Sequence, residues 1–145
     1  MEVDSTMNIW VNNILFLILF MQDSQSTLED LKWKYRVVLY FQDNAVDHLV
    51  MTDSITKQID ERKIAYYAIG DSVSSNHNLM FSPAYIQHLK TKYKMGYKGT
   101  MYVLLGLDGG VKLKKEEPLD WTLIFNSIDS MPMRKSEMSK SSGSY

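Results

Sequence analysis

One short run, Tyr35-Arg36-Val37-Val38-Leu39-Tyr40-Phe41, constrains the fold more than any other part of the chain. It is nearly continuous in apolar, β-branched and aromatic side chains, so as a strand it has no face to give to water. Such a strand belongs at the centre of a sheet covered on both sides, and Gln42-Asp43-Asn44 ends it with turn chemistry. Covering both faces takes a good deal of apolar material. The 145 residues, 45% of them hydrophobic and 23% charged, suffice for one such domain.

The rest of the chain supplies the covering layers. From Val46 to Arg62 the period changes: Met51, Ile55 and Ile59 recur every fourth residue beside Val46 and Val50, which predicts an amphipathic helix. Ile64–Ile69 returns to a strand ending at Gly70-Asp71, and the polar stretch Ser72–Met80 reads as a loop. Ser82-Pro83 is a helix start, with Tyr85, Ile86, Leu89 and Tyr93 on one face and Gly96 and Gly99 closing it. Thr100–Leu107 is a third strand. Asp108-Gly109-Gly110 is a tight hairpin turn leading into the alternating outer strand Val111–Lys115. Pro118 and Asp120 open a last helix whose core face is Trp121, Ile124, Phe125, Ile128 and Met131, and Met131-Pro132 is expected to stop it. The order is β-α-β-α-β-β-α. It predicts an α/β domain with a mixed four-stranded sheet and helices on both faces, the thioredoxin-like arrangement.

Ahead of the domain, Ile14–Met21 is an eight-residue apolar run, weakly extended upstream by Ile9, Trp10 and Val11. It is too short to cross a bilayer but long enough for a secretion signal, with Ser24-Gln25-Ser26 as small residues behind it. Glu2 and Asp4 precede it where an export signal usually carries bases, and Met7 is an alternative start. The reading is residues 1–26 as signal peptide or apolar leader, 27–138 as the domain and 139–145 as a flexible tail. An uncleaved anchor through residues 9–21, or a buried element of the domain, are the alternatives. Export to the periplasm or outside the cell is the expected location.

Three segments carry a resemblance to a family: Leu28–Arg36, the hairpin Gly106–Lys114, and Ile128–Met138 with its core Asp129-Ser130-Met131-Pro132-Met133-Arg134-Lys135-Ser136-Glu137. They resemble a domain of unknown function numbered 4174. That resemblance implies a thioredoxin- or peroxiredoxin-like fold in exported bacterial proteins and in repeated domains of animal matrix proteins, with no established reaction.

The chain has no cysteine, which excludes thiol–disulfide and thiolate chemistry, iron–sulfur clusters and cysteine-ligated zinc. Where a redox thiol would stand, after the first strand, are Asp43, Asn44, Asp47 and His48. These offer metal-ligand types, although Asp at a helix start is also ordinary capping. A formal charge of −1 gives no electrostatic case for nucleic acid. His77 and His88 have no partner at metal spacing and read as solvent-facing. The lysines at 90, 92, 94, 98, 112, 114 and 115 guard a helix end and a strand edge, or attract an anionic extracellular or periplasmic ligand such as a polysaccharide. Arg134 is expected to pair with Asp71 or Asp129 and pin the carboxyl segment. The expectation is a non-catalytic binding or structural module without a cofactor, whose candidate binding residues are His48, Asp71, Lys112 and Arg134. The alternatives are an enzyme using Asp, His or Arg at the sheet edge, and a membrane-tethered adaptor.

Overall fold

The central run folds as the two-faced strand its composition demands. The computed structural model describes residues 25–43, 49 and 51–142. In it β1 (Arg36–Phe41) is buried throughout. Val37, Leu39 and Phe41 enter one hydrophobic cluster, and Val38 and Tyr40 enter the other. Adjacent residues thus serve opposite faces, as the strand period requires.

On its two sides β1 pairs in parallel with β2 (Ile64–Ile69) and antiparallel with β4 (Met101–Leu105). The outer strand β5 (Val111–Lys115) pairs antiparallel with β4. The sheet has five strands rather than four, in the order β3-β2-β1-β4-β5. The additional strand, β3 (Val73–Ser75), lies in the stretch read as a loop and reverses directly onto Tyr67–Ile69. Three mostly polar residues on a sheet edge leave almost no periodic signal.

Helices cover both faces. Helix α2 (Pro83–Lys94) packs Ile86, Leu89 and Tyr93 into the Val37 cluster with Leu31 of a short 3-10 turn, Leu28–Leu31. Helices α1 (Asp53–Glu61) and α3 (Trp121–Asp129) cover the Val38 side through Ile59, Trp121, Ile124, Phe125 and Ile128. Among the described residues α1 is shorter than the expected helix over 46–62. The Thr52 hydroxyl accepts the Ile55 N–H at 3.2 Å, an N-cap that fixes the start. Leu49 and Met51 still pack against the core, ahead of that cap. Residues 44–48 and 50, including His48, lie outside the described residues.

Pro132 does end α3, yet it also opens a further helix, α4 (Pro132–Ser142). Proline suits a first helical position, where its missing N–H would have no partner anyway. The helix runs on beyond residue 138, where a flexible tail was expected to begin.

Candidate functional site

The exception in the central run is Arg36, 1% exposed at the first position of β1. Its guanidinium donates to the Arg62 carbonyl at 2.9 Å and to Glu137 Oε1 of α4 at 3.1 Å. Arg62, at the end of α1, forks onto Asp129 at the end of α3, with Nε–Oδ1 at 3.1 Å and Nη2–Oδ2 at 2.6 Å. The same guanidinium lies 4.7 Å from the Phe125 ring centre. Arg134 completes the network, donating to the Glu61 carbonyl at 3.1 Å, to Asp129 at 3.4 Å and to Glu137 at 3.5 Å. Three arginines and two carboxylates therefore tie the start of β1 to the ends of α1 and α3 and to α4. Bidentate arginine–carboxylate geometry of this kind gives fixed orientation as well as energy.

The electrostatics suit a clamp rather than proton transfer. Burial pushes the Asp129 carboxyl up, but hydrogen bonds and charge from Arg62, then Arg134, outweigh it and hold the group below its usual range. Glu137 is lowered in the same way, burial being overcome by Arg36 and Arg134. Both remain ionised through the neutral range, unlike a general acid poised near it. A depressed carboxylate adds stability that is complete above the unfolded value, ~4, and is lost as pH falls through the folded one. Denaturation midpoints should therefore fall steeply on the acid side, and Asp129→Asn should flatten that limb while lowering the neutral plateau. An unchanged acid limb in Asp129→Asn would remove the clamp from the account.

Beside the clamp, at the starts of β1 and β2, the surface opens into a shallow groove of about 620 Å³ lined by Trp33, Tyr35, Asp60 and Lys63. A neighbouring hollow of about 520 Å³ shares Lys34, Tyr35 and His77 with it. Trp33 is 67% exposed and takes φ +63°, the left-handed region that a bulky side chain rarely occupies. Its N–H is held by the Leu107 carbonyl at 2.8 Å, beside the β4–β5 hairpin. Next to it the Tyr35 and His77 rings meet edge to face at 4.7 Å. The hairpin turn needs glycine at 109, where φ is +75° and a Cβ would collide with the Lys32 side chain.

The segment before β1, the hairpin and the Asp129–Glu137 stretch thus all meet around the beginning of the central strand. A family described as Domain of unknown function (DUF4174) matches residues 27–137. The chain belongs to this family. No curated protein and no solved structure matches it.

In this DUF4174 chain the residues singled out from sequence are not gathered in one place. Arg134 meets Asp129, as one of its two expected partners. Asp71 lies in the reversal between β2 and β3, across the six residues of β2 from Arg62, a span of roughly 20 Å. Lys112 is on the outer strand, its Nζ 2.7 Å from Asp108 Oδ2. His48 lies outside the described residues. His88 is exposed and stacks on Tyr85 at 5.7 Å. His77 is half-buried instead, its Nδ1 accepting the Leu79 N–H at 3.0 Å. Among the described residues no three metal-ligating side chains come together.

Sequence reasoning passed over Arg36, Arg62 and Trp33. For Arg36 a signal existed, a lone charge opening a run that must be buried. For Trp33 none did, because the left-handed backbone depends on a hydrogen bond to a residue 74 positions away.

Proposed function

We propose that this chain is an exported, non-catalytic binding module that works through the Trp33 groove. The observation that carries the reading is Trp33 itself. A large aromatic side chain is held out in solvent on a backbone conformation that costs energy, and such costs persist where function needs the geometry. The charged groups with the most directional bonding are meanwhile occupied in the clamp. The groove lies at the starts of two hydrogen-bonded central strands, which suits a preformed site. Export is supported by the apolar run Ile14–Met21 and by the boundary behind it, since the family match begins at residue 27. At that residue Thr27 accepts the Glu29 N–H and donates its own N–H to Asp30, so the domain starts with a closed capping box. Among the described residues no helix is long and apolar enough to cross a membrane.

Fractionation of cells making the full chain, with amino-terminal sequencing, tests the first half. The expected product lies outside the cytoplasm and begins near residue 27; an intact leader on cytoplasmic protein overturns export. For the second half, tryptophan emission, to which Trp33 is one of three contributors, is followed while a panel of metabolites and oligosaccharides is added. A shift that disappears in Trp33→Tyr is expected, and a silent panel overturns the binding reading.

A further inference from the structure

We infer that the ligand of the Trp33 groove is a neutral, hydroxyl-rich glycan chain, an inference that rests on the binding reading above. Four observations converge on it. The first is the indole of Trp33, a flat apolar face with a negative quadrupole, open to solvent. A pyranose ring is the complementary shape, since its C–H groups gather on one face while its hydroxyls point outward.

The second is the charge balance. Lys34 Nζ already donates to the Asp30 carbonyl at 3.2 Å. Over the two adjoining hollows the cations Lys34 and Lys63 stand against the carboxylates Asp30 and Asp60, two charges of each sign. Such a surface has no net field to draw a polyanion, so the anionic ligand expected from the lysines does not fit here. The lysines of the outer strand are elsewhere, and Lys112 is matched by Asp108.

The third is the mixture of donors and acceptors. His77 Nδ1 is occupied as an acceptor of the Leu79 N–H, which places the proton of the neutral ring on Nε2. His77 thus brings a donor, and Asp60 an acceptor, to the same lining. A hydroxyl both donates and accepts, so a polyol can answer both.

The fourth concerns the main competitor, a peptide. One recurring way for a peptide to dock beside a sheet is to add a strand to its open edge. Here β3 is too short to cover the first half of β2, but Asn76 closes that edge with its side chain. Its Oδ1 accepts the Tyr66 N–H at 2.8 Å and its Nδ2 donates to the Ile64 carbonyl at 2.9 Å. The backbone beside the groove is already paired. The two hollows adjoin, sharing Lys34, Tyr35 and His77 in their linings, and so give more than one sugar ring a place to lie.

Titration of the full chain with cellohexaose, chitohexaose, polygalacturonate and poly-glutamate, by calorimetry and tryptophan emission at low and high salt, tests the inference. At least one neutral hexasaccharide is expected to bind, with an affinity changed less than about twofold by salt. Trp33→Ala should weaken it by about tenfold or more, and Trp33→Tyr should restore part of the loss. Asp60→Asn and Lys63→Gln should each change it less than about threefold. Circular dichroism of each variant confirms the fold. Binding of polygalacturonate or poly-glutamate alone, salt-sensitive and Trp33-dependent, would overturn the neutral glycan and leave the binding module standing. No Trp33-dependent response to any of the four overturns the neutral glycan, and a silent metabolite and oligosaccharide panel besides overturns the binding module as well.

Discussion

Replacing Glu137 with alanine should cost about 3 kcal/mol of stability, a large effect for a half-exposed position. The reason lies with its partner rather than with Glu137. Arg36 is 1% exposed, and its guanidinium has two acceptors, the Arg62 carbonyl and Glu137. Without the carboxylate, a buried cation is left with one neutral acceptor. Breaking a buried pair from one side typically costs about 3–5 kcal/mol, and the one-third exposure of Glu137 places this case at the lower end. Glu137→Gln, which keeps an acceptor, should lose roughly half as much. Arg36→Met combined with Glu137→Ala should recover much of the loss, because an apolar side chain at that position needs no partner. Chemical denaturation of the three variants forms the test. A Glu137→Ala protein within about 0.5 kcal/mol of the parent would mean that water serves Arg36 and the clamp is ornamental.

Trp33→Gly is expected to do the opposite to stability and to abolish function. A non-glycine residue in the left-handed region carries roughly 1–2 kcal/mol of steric cost, and glycine removes it. Part of that gain is returned through the greater freedom of glycine in the unfolded chain, roughly 0.5–1 kcal/mol. The net expectation is a protein as stable as the parent or more so, by up to about 1 kcal/mol. Ligand affinity should meanwhile fall by about tenfold or more, since the indole is the exposed aromatic face that the groove offers. A residue retained for packing would behave otherwise. A stability loss above about 1 kcal/mol would assign Trp33 to the fold and withdraw the groove's main support.

Most of the architecture could be read from periodicity because the elements with strong patterns are also the ones with strong burial. Val37 to Phe41 had to alternate between two cores, and Trp121, Ile124, Phe125 and Ile128 had to share one face. The short edge strand Val73–Ser75 escaped because pairing with Tyr67–Ile69 owes little to its side chains. Helix α4 escaped for a related reason. Its sequence has little apolar periodicity, and it is held by Arg36 on its Glu137 and by its own Arg134 on Asp129 and the Glu61 carbonyl, rather than by a buried stripe. The candidate site was legible only in outline. Arg134 with Asp129 could be anticipated from an arginine beside a helix stop. The meeting of Arg36 with Glu137 joins residues 101 positions apart, which no local pattern reports.

That separation also sets an order in time. The two longest-range bonds of the clamp, Arg36 to Glu137 and Arg134 to the Glu61 carbonyl, join the beginning and middle of the domain to its last helix. During synthesis the amino-terminal half emerges first, with Arg36 already placed to open a strand but without its carboxylate. Burying that strand start early would strand a cation in the core, so the clamp's closure waits for residues 132–142. Contacts of such high sequence separation are slow to form, because loop closure must be met before they return anything. The domain thereby completes its fold only after its final helix has been made.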